Sequence, residues 1–447
     1  MDLRSTSIPN PWKTKASLLI VATMLTGALS GCGYYFGEEE EILPGERISI
    51  RRVETPTVEG GQVVLPNPRN VTDWPQAGGN SLRSVDHVGG NLSLTRVWSA
   101  SAGAGSDSES RVSAEPVAAG GRVFALDAAS TVTAFSLSGG SEIWSTDLTP
   151  EDEDGRDGFG GGLAVAGEFL IAATGFGEVI GLSVADGSEK WRFKGTSPFR
   201  SAPAVSRGLA VVLSRDGQVI GLDVTTGERR WGVIGIEGGA AMLGGGAPAI
   251  AGEIVAAPFA SGDLAVFRGS DGRRGWSEGL GSARRGAAIS LITDVSSAPV
   301  LHSGKIYAGS VAGRLVAFEA NTGRRVWARD IGLYNRVWAT ERTLFAVAED
   351  GGVHALSAQT GQTIWSMNLP QYEDPEDRDG LLAYGGPILV GGKIYVVSSD
   401  EKLYAIDAMT GGVEREVDIP GGSSIPPIFA GGSLIILDEN ADLHAFN

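Results

Sequence analysis

The chain has a single cysteine, Cys32, among its 447 residues. One thiol excludes an intramolecular disulfide and any cluster of thiolate metal ligands. Positive charge is also scarce, because 36 lysines and arginines stand against 53 acidic residues and leave a net charge of −17. Binding to nucleic acid by counterion release needs the opposite balance. Nucleic acid is therefore excluded as a partner of the body of the chain.

Residues that could carry catalysis are sparse as well. There are only four histidines, and His354 and His444 fall at the same position of the repeat described below, which indicates a strand position rather than a metal ligand. No Gly-x-Ser-x-Gly elbow stands between a strand and a helix, and no Walker loop is present. The sequence therefore predicts no catalytic residue, no metal, no cofactor and no enzymatic activity.

Glycine, by contrast, is abundant at 66 residues, and it separates short apolar runs. The clearest example is residues 297–327, SAPVLHSGKIYAGSVAGRLVAFEANTGRRVW. Its four apolar runs are divided by the turn sequences Ser303-Gly304, Ala312-Gly313 and Asn321-Thr322-Gly323, which predicts a four-stranded antiparallel meander.

The same pattern recurs eight times at intervals typical of propeller blades. In six copies the third strand is followed by Gly-x-x-x-Trp, and in the seventh the tryptophan position holds Arg415. The core residue of the third strand in each copy is Phe135, Leu182, Leu222, Phe267, Phe318, Leu356, Ile406 or Phe446.

The eighth copy reaches Phe446 and has no fourth strand after it. An unpaired strand with the repeat tryptophan, Trp98, precedes the first copy. If that strand completes the last blade, the ring closes and no sheet edge stays open at the seam. We therefore expect an all-β fold over residues 72–447: an eight-bladed β-propeller of four-stranded antiparallel blades, closed by the N-terminal strand around Trp98.

The first 31 residues predict an export signal, because basic residues precede an apolar run from Ala16 to Leu29. The following Leu29-Ser30-Gly31-Cys32 resembles a bacterial lipobox, in which the cysteine is acylated and becomes the new N-terminus. The alternative is an ordinary signal peptide with an incidental cysteine. Several acyl chains give stable anchoring without a membrane span. Residues 32–71, which are acidic and contain several prolines, predict a flexible tether.

Two acidic connections, residues 151–158 and 373–380, match each other in sequence. Aspartates at alternate positions followed by glycine suggest calcium, but neither loop has the twelve-residue EF-hand layout. Solvated connections are the favoured interpretation. Each joins a fourth strand to the next first strand, so both should lie on the same face of the ring.

The repeat core followed by Thr-Gly-x-x-x-Trp resembles the repeat of quinoprotein-type propellers. One such family, the pyrroloquinoline-quinone dehydrogenases, implies a calcium-bound quinone and two adjacent cysteines, which this chain lacks. The other is the BamB family, lipoprotein subunits of the β-barrel assembly machinery, and that resemblance covers nearly the whole chain. The motif Asp73-Trp74-Pro75-Gln76 and the loop 158–164 resemble its α-proteobacterial members.

The BamB resemblance implies a non-enzymatic adaptor, lipid-anchored in the outer membrane and facing the periplasm. Its partners would be BamA, other Bam subunits and unfolded outer-membrane protein precursors. In that family, residues on two neighbouring inter-blade connections contact BamA, and the matching positions here are Phe199, Arg200 and Asp294. The alternatives are a quinone- and calcium-dependent periplasmic dehydrogenase, or a lipid-anchored sensor or polysaccharide-export partner.

Overall fold

The computed structural model describes residues 61–235, 246–281 and 295–447. Eight four-stranded antiparallel sheets follow one another along the chain, which confirms the predicted eight-bladed β-propeller. The middle strands of each blade are buried, whereas most outer strands alternate between exposed and buried residues. This is the pattern expected of a strand with one face on a neighbouring blade and the other in solvent.

The blades share one order, from an inner strand at the axis to an outer strand at the rim. Blade 1 contains β2 (Val117–Ala119), β3 (Arg122–Leu126), β4 (Thr131–Ser136) and β5 (Glu142–Asp147), and blade 2 contains β6 (Gly161–Ala166), β7 (Phe169–Thr174), β8 (Glu178–Ser183) and β9 (Glu189–Lys194). Blade 3 contains β10 (Ala204–Ser206), β11 (Leu209–Leu213), β12 (Gln218–Asp223) and β13 (Arg229–Ile234), and blade 4 contains β14 (Ala249–Ala251), β15 (Ile254–Pro258), β16 (Asp263–Arg268) and β17 (Arg274–Gly279). Blade 5 contains β18 (Val300–His302), β19 (Lys305–Ser310), β20 (Arg314–Glu319) and β21 (Arg325–Arg329), and blade 6 contains β22 (Trp338–Ala339), β23 (Thr343–Val347), β24 (Gly352–Ser357) and β25 (Thr363–Asn368). After the hairpin β26 (Tyr372–Asp374) and β27 (Asp379–Leu381), blade 7 contains β28 (Tyr384–Val390), β29 (Lys393–Ser398), β30 (Lys402–Asp407) and β31 (Val413–Asp418). Blade 8 contains β32 (Ile428–Ala430), β33 (Ser433–Leu437), β34 (Asp442–Phe446) and, as its outer strand, β1 (Arg96–Ser101).

The ring closes where the two ends of the propeller meet in blade 8. Strand β1 pairs antiparallel with β34, and Trp98 lies opposite Ala445. The backbone of Asn447 is also hydrogen-bonded to that of Thr95 in both directions, with N–O distances of 3.1 and 3.4 Å. Closure by the N-terminal strand is therefore confirmed, and the outer strand of the last blade comes from the start of the ring.

Each repeat tryptophan joins its own blade to the next one. The indole N–H of Trp144 donates to the carbonyl oxygen of Val184 in the next blade at 3.1 Å, and its ring lies against Gly187 in the next turn. The same two contacts recur from Trp98 through Trp365. In blade 7, Arg415 stands in for the tryptophan and donates to the carbonyl oxygen of Ser93, three residues before the closing strand β1.

Two turn glycines distinguish the cost of backbone strain from the cost of displacing a packed tryptophan. Gly187 has φ +72°, and a Cβ built there would lie 2.5 Å from the Trp144 ring, whereas Gly121 has φ +75° with nothing within 4 Å of such a Cβ. We expect Gly121→Ala to lower the free energy of unfolding by about 1–2 kcal/mol through backbone strain alone. Gly187→Ala should lower it by about 1–2 kcal/mol more, because the tryptophan must move. Urea unfolding of both variants measures the difference, and equal losses would contradict the packing role.

Residues 72–88, here called the axial segment, run along the inner edges of the blades and contact all eight in order. Their partners, from blade 8 through blades 1 to 7, are Gly431, Ala118, Val165, Val205, Ile250, Leu301, Trp338 and Gly391. The inner strands would otherwise present unpaired backbone groups at the axis, and the axial segment satisfies part of them. The motif Asp73-Trp74-Pro75-Gln76 therefore belongs to an internal belt.

The ring-bound part of the chain also begins earlier than residue 72. Val63 is buried, the backbone of Val64 is hydrogen-bonded to the Thr343 hydroxyl, and Arg69 is hydrogen-bonded to residues 87 and 89. The predicted tether of residues 32–71 is therefore too long at its C-terminal end. Polar residues and prolines suggested an extended chain, but an extended chain can also lie against a sheet.

Candidate interaction site: the central funnel and its rim

A cavity of about 550 Å³ opens at the axis, on the face where each outer strand connects to the next inner strand. We call this cavity the central funnel. Residues from the connections of several blades line it, and so do Ala77 and Arg83 of the axial segment. Among the described residues, the charged ones that line it are Arg83, Arg111, Glu115, Arg200, Arg336 and Glu439. Four arginines therefore meet two glutamates at the axis of a strongly acidic chain.

Arg83 lies beneath the funnel and is almost completely buried. Its guanidinium donates to the carbonyl oxygens of Pro203 at 3.2 Å and Pro248 at 2.9 Å, and also to that of Ala77. These contacts hold the axial segment against blades 3 and 4. Burial lowers the pKa of Arg83 to about 10, although Glu115 opposes that shift. Arg83 therefore stays protonated at neutral pH and carries its charge among backbone carbonyls.

Arg336 and Glu115 form a buried ion pair beside Arg83. The two terminal guanidinium nitrogens of Arg336 donate to the Glu115 carboxylate, Nη2 at 3.1 Å, and the side chains are only 5% and 11% exposed. The Glu115 carboxylate also accepts from the backbone N–H of Gly78 at 3.2 Å. The Glu115 carboxylate therefore offsets the positive charge of two buried arginines, Arg83 and Arg336. Its hydrogen bond to Gly78 also helps to fix the axial segment.

Arg200 lies at the funnel wall, in the connection between blades 2 and 3. Its guanidinium carbon is 5.7 Å from the centre of the Phe159 ring, a distance suited to a cation–π contact. Burial lowers the pKa of Arg200, and the neighbouring charge of Arg215 adds to the effect. Within the described ranges no carboxylate forms an ion pair with Arg200, so its charge is available to a partner.

The structure separates the residues that the BamB resemblance brought together. Phe199 has no exposed surface and fills the core between blades 2 and 3, so its side chain is not placed to contact a partner directly. Asp294 and Cys32 lie outside the described residues. The segment after Asp294 leads into blade 5, whereas Arg200 precedes blade 3, so the two connections are not neighbours along the ring. Ser296 nevertheless lines the same funnel as Arg200.

The funnel rim combines apolar and acidic groups. Tyr334 and Leu381 line the cavity and are 40% and 62% exposed. Leu381 belongs to the hairpin β26–β27, which carries the acidic connection 373–380. The other acidic connection also reaches this face, because Arg156 is paired with Asp107, next to residues that line the funnel. Both acidic connections therefore flank the funnel.

The lining residues do not fit a calcium-bound quinone. Of the two acids at the funnel, Glu115 is occupied by Arg336 and the Gly78 amide. In the part of the chain that the structure describes, no group of three or more His, Cys, Asp or Glu is placed to hold a metal ion. His354 and His444 lie in β24 and β34, and His444 is bonded to Asp438 at 3.0 Å, as expected for strand positions.

The charged groups of the funnel could not be identified from the repeat. Glu115 is separated from Arg336 by 221 positions, and Arg83 lies before the first blade. None of the three follows the repeat register. The only sequence signal for the axial segment was the motif 73–76, which lies outside the blades.

No segment that the structure describes forms a helix long and apolar enough to cross a membrane.

Comparison with known proteins agrees with this architecture. A family model described as "Outer membrane protein assembly factor BamB" matches residues 45–158 and 128–367. BamB of Salmonella typhimurium is 29% identical over 369 residues, which cover 81% of this chain and 91% of the relative. BamB of Xanthomonas campestris is 31% identical over 62% of this chain and 69% of its own length.

Solved structures show the same fold in two functional classes. BamB from Moraxella catarrhalis aligns with a TM-score of 0.66 at 18% identity, covering 79% of this chain and 99% of that protein. The quinohemoprotein alcohol dehydrogenase of Comamonas testosteroni also gives 0.66, at 14% identity, with coverage of 84% and 80%. These likenesses establish the fold alone, whereas the family model spans most of the chain. The chain belongs to the BamB family of outer membrane protein assembly factors.

Proposed function

We propose that this protein is a non-enzymatic adaptor that docks on BamA and assists the folding and insertion of outer-membrane β-barrel proteins. It is anchored in the outer membrane through lipidated Cys32, faces the periplasm, and works with BamA and other Bam subunits. Family membership carries this proposal. The funnel supports it, because its donor set does not fit the quinone and calcium of the dehydrogenases that share the fold.

The docking surface that we propose is centred on Arg200. An arginine that has an aromatic neighbour and no acidic partner among the described residues can form a two-point hydrogen bond with a carboxylate of another protein. Phe199 supports it from below by packing in the core of blades 2 and 3. Asp294 is a second contact, which would pair with a basic group on BamA.

Exchange of the Arg200 charge tests the docking surface. We expect Arg200→Glu to reduce recovery of BamA at least tenfold when the tagged chain is purified from membranes in mild detergent, because a favourable charge pair becomes repulsive. The matched control is Arg230→Glu, on the outer strand of blade 3, where Arg230 is paired with Asp223. Equal recovery with Arg200→Glu and wild type would show that BamA docks elsewhere.

The same purification separates the anchor from the docking surface. Cys32→Ala removes the proposed acylation site and should lower recovery of BamA by lowering the local concentration of the chain at the membrane. Added in excess to detergent-solubilised BamA, the Cys32→Ala chain should still bind. Recovery of an export component or an oxidoreductase in place of BamA would favour one of the alternative functions.

Unfolded precursors have a separate surface in this proposal. The outer strand of each blade is an edge of its sheet, so its backbone groups can accept an added strand. Strand β13 ends at Ile234, which is 75% exposed and offers an apolar contact beside that edge. Precursor recovered with the Arg200→Glu chain, in the absence of BamA, would support direct binding. Precursor recovered only together with BamA would oppose it.

A further inference from the structure

The central funnel concentrates positive charge in a chain whose net charge is −17. Among the described residues, four arginines and two glutamates line it, which leaves an excess of two positive charges. Low-dielectric walls focus such a charge and raise the local concentration of anions. The described residues that line the funnel therefore carry a net charge opposite in sign to that of the chain as a whole.

The charge beneath the funnel is held in place by the fold. Arg83 and Arg336 are both buried, and the single carboxylate of Glu115 lies beside them. The Nε atom of Arg336 is buried without a hydrogen-bond partner among the described residues. Neither guanidinium can move away or be hydrated freely. This pair of arginines supplies a fixed positive field, and its excess over Glu115 is not balanced by another described acid in contact with them.

The groups able to reach a ligand lie higher in the funnel. Arg200 is partly exposed and Arg111 is exposed, and neither forms an ion pair with a described acid. The Arg336–Glu115 pair shows the two-point geometry in which a guanidinium and a carboxylate meet at this site. Arg200 and Arg111 can offer a second carboxylate the same donors.

The lining of the funnel also includes apolar side chains. Tyr334, Leu381, Ile425 and Pro426 line it, and the cavity of about 550 Å³ lies in the size range of sites for small organic ligands. A simple ion would leave most of this volume unfilled. A ligand with a charged end and an apolar body matches both the arginines and the wall.

We propose that the central funnel is a binding site for a carboxylate attached to an apolar body. The carboxylate lies between Arg111 and Arg200 above the fixed charge of Arg83 and Arg336, and the apolar body contacts Tyr334, Leu381 and Ile425. Two sources have this chemistry, the C-terminus of an extended polypeptide and a free amphiphilic acid. Binding at this site needs no BamA, so it can be tested apart from docking.

The experiment uses the full-length lipidated chain, purified in mild detergent without BamA. The probe is a fluorescein-labelled pentapeptide, Gly-Ser-Gly-Leu-Leu, with a free C-terminal carboxylate, and the comparison probe is its C-terminal amide. Fluorescence anisotropy measures the affinity of each. We expect the amide to bind about tenfold or more weakly, because the charge-assisted hydrogen bonds are lost.

Variants locate the site. Arg111→Gln and Arg200→Gln should each weaken binding of the free-acid peptide about tenfold, whereas Arg230→Gln, on the outer strand of blade 3, should leave it unchanged. Circular dichroism verifies that each variant folds. Competition by octanoate to completion assigns the site to free amphiphilic acids as well as chain ends, and failure of octanoate to compete restricts it to chain ends. Equal binding of acid and amide, or full affinity in both funnel variants, would overturn the proposal.

Discussion

Replacement of Trp74 by alanine is expected to lower the free energy of unfolding by about 3–5 kcal/mol, as truncation of a fully buried tryptophan does. Trp74 has no exposed surface, and its ring stacks on Trp338 with centres 6.1 Å apart and planes at 15°. Its backbone forms two hydrogen bonds with Ala118, of 2.6 and 2.8 Å. Trp74 therefore links blade 1, through its backbone, to blade 6, through its ring.

The matched control is Trp276→Ala, which removes the same side chain from a partly exposed position between blades 4 and 5. The smaller buried area predicts a smaller loss. Urea unfolding gives both values. A second readout is specific to the stack: far-UV circular dichroism should lose its paired-indole signal in Trp74→Phe and in Trp338→Phe alike, while both variants remain folded.

These measurements distinguish a belt that holds the ring together from a segment that merely fills space. If the axial segment only fills space, Trp74→Ala should lower the free energy of unfolding no more than Trp276→Ala does, because the blades would close over the gap. A belt gives the larger loss and also makes the unfolding of distant blades simultaneous, since all eight inner strands contact residues 72–88.

The ring itself was predictable because its contacts repeat. Gly187 and Trp144 meet across a blade boundary for the same physical reason as Gly411 and Trp365, and a repeated reason leaves a repeated pattern. The departure at Arg415 was equally visible, and the structure explains it. Blade 8 has no turn glycine at that boundary, and the carbonyl oxygen of Ser93, just before the closing strand, accepts a hydrogen bond from Arg415 instead.

The axial segment and the funnel could not be predicted in this way because each of their contacts occurs once. The Gln76 side chain forms two hydrogen bonds of 2.8 Å with the backbone of Val205, 129 positions away, as a neighbouring strand would. No other glutamine among the described residues repeats this pair of bonds. Phe199 was matched together with Arg200 to the BamA contacts of the BamB family, yet it fills the core. Sequence adjacency to Arg200 carried no information about which side chain faces solvent.

Replacement of Glu115 by glutamine is the second change for which a large effect is expected. It leaves the shape of the side chain and removes the carboxylate that Arg336 and the Gly78 amide share. The buried guanidiniums of Arg83 and Arg336 then lie near each other without the Glu115 carboxylate. Burial already disfavours the charge of Arg83, since it lowers the pKa of that residue to about 10. Breaking a buried ion pair from one side costs about 3–5 kcal/mol.

A double-mutant cycle assigns that loss to the pair. Arg336→Gln removes the other partner, and in the double variant Glu115→Gln with Arg336→Gln one uncompensated charge is gone, so the double variant should be more stable than Glu115→Gln alone. Glu319→Gln, which breaks an exposed pair with Arg324, is the control and should change the free energy of unfolding by less than about 1 kcal/mol.

The order of these values decides what Glu115 does. If the double variant recovers stability, the carboxylate acts mainly by neutralising charge beneath the funnel. If the double variant is less stable than either single one, the hydrogen bonds to Arg336 and Gly78 dominate, and Glu115 acts mainly as a fastening for the axial segment. Arg83 keeps its carbonyl partners in every variant, but its charge responds to both changes, because Glu115 raises its pKa and Arg336 lowers it.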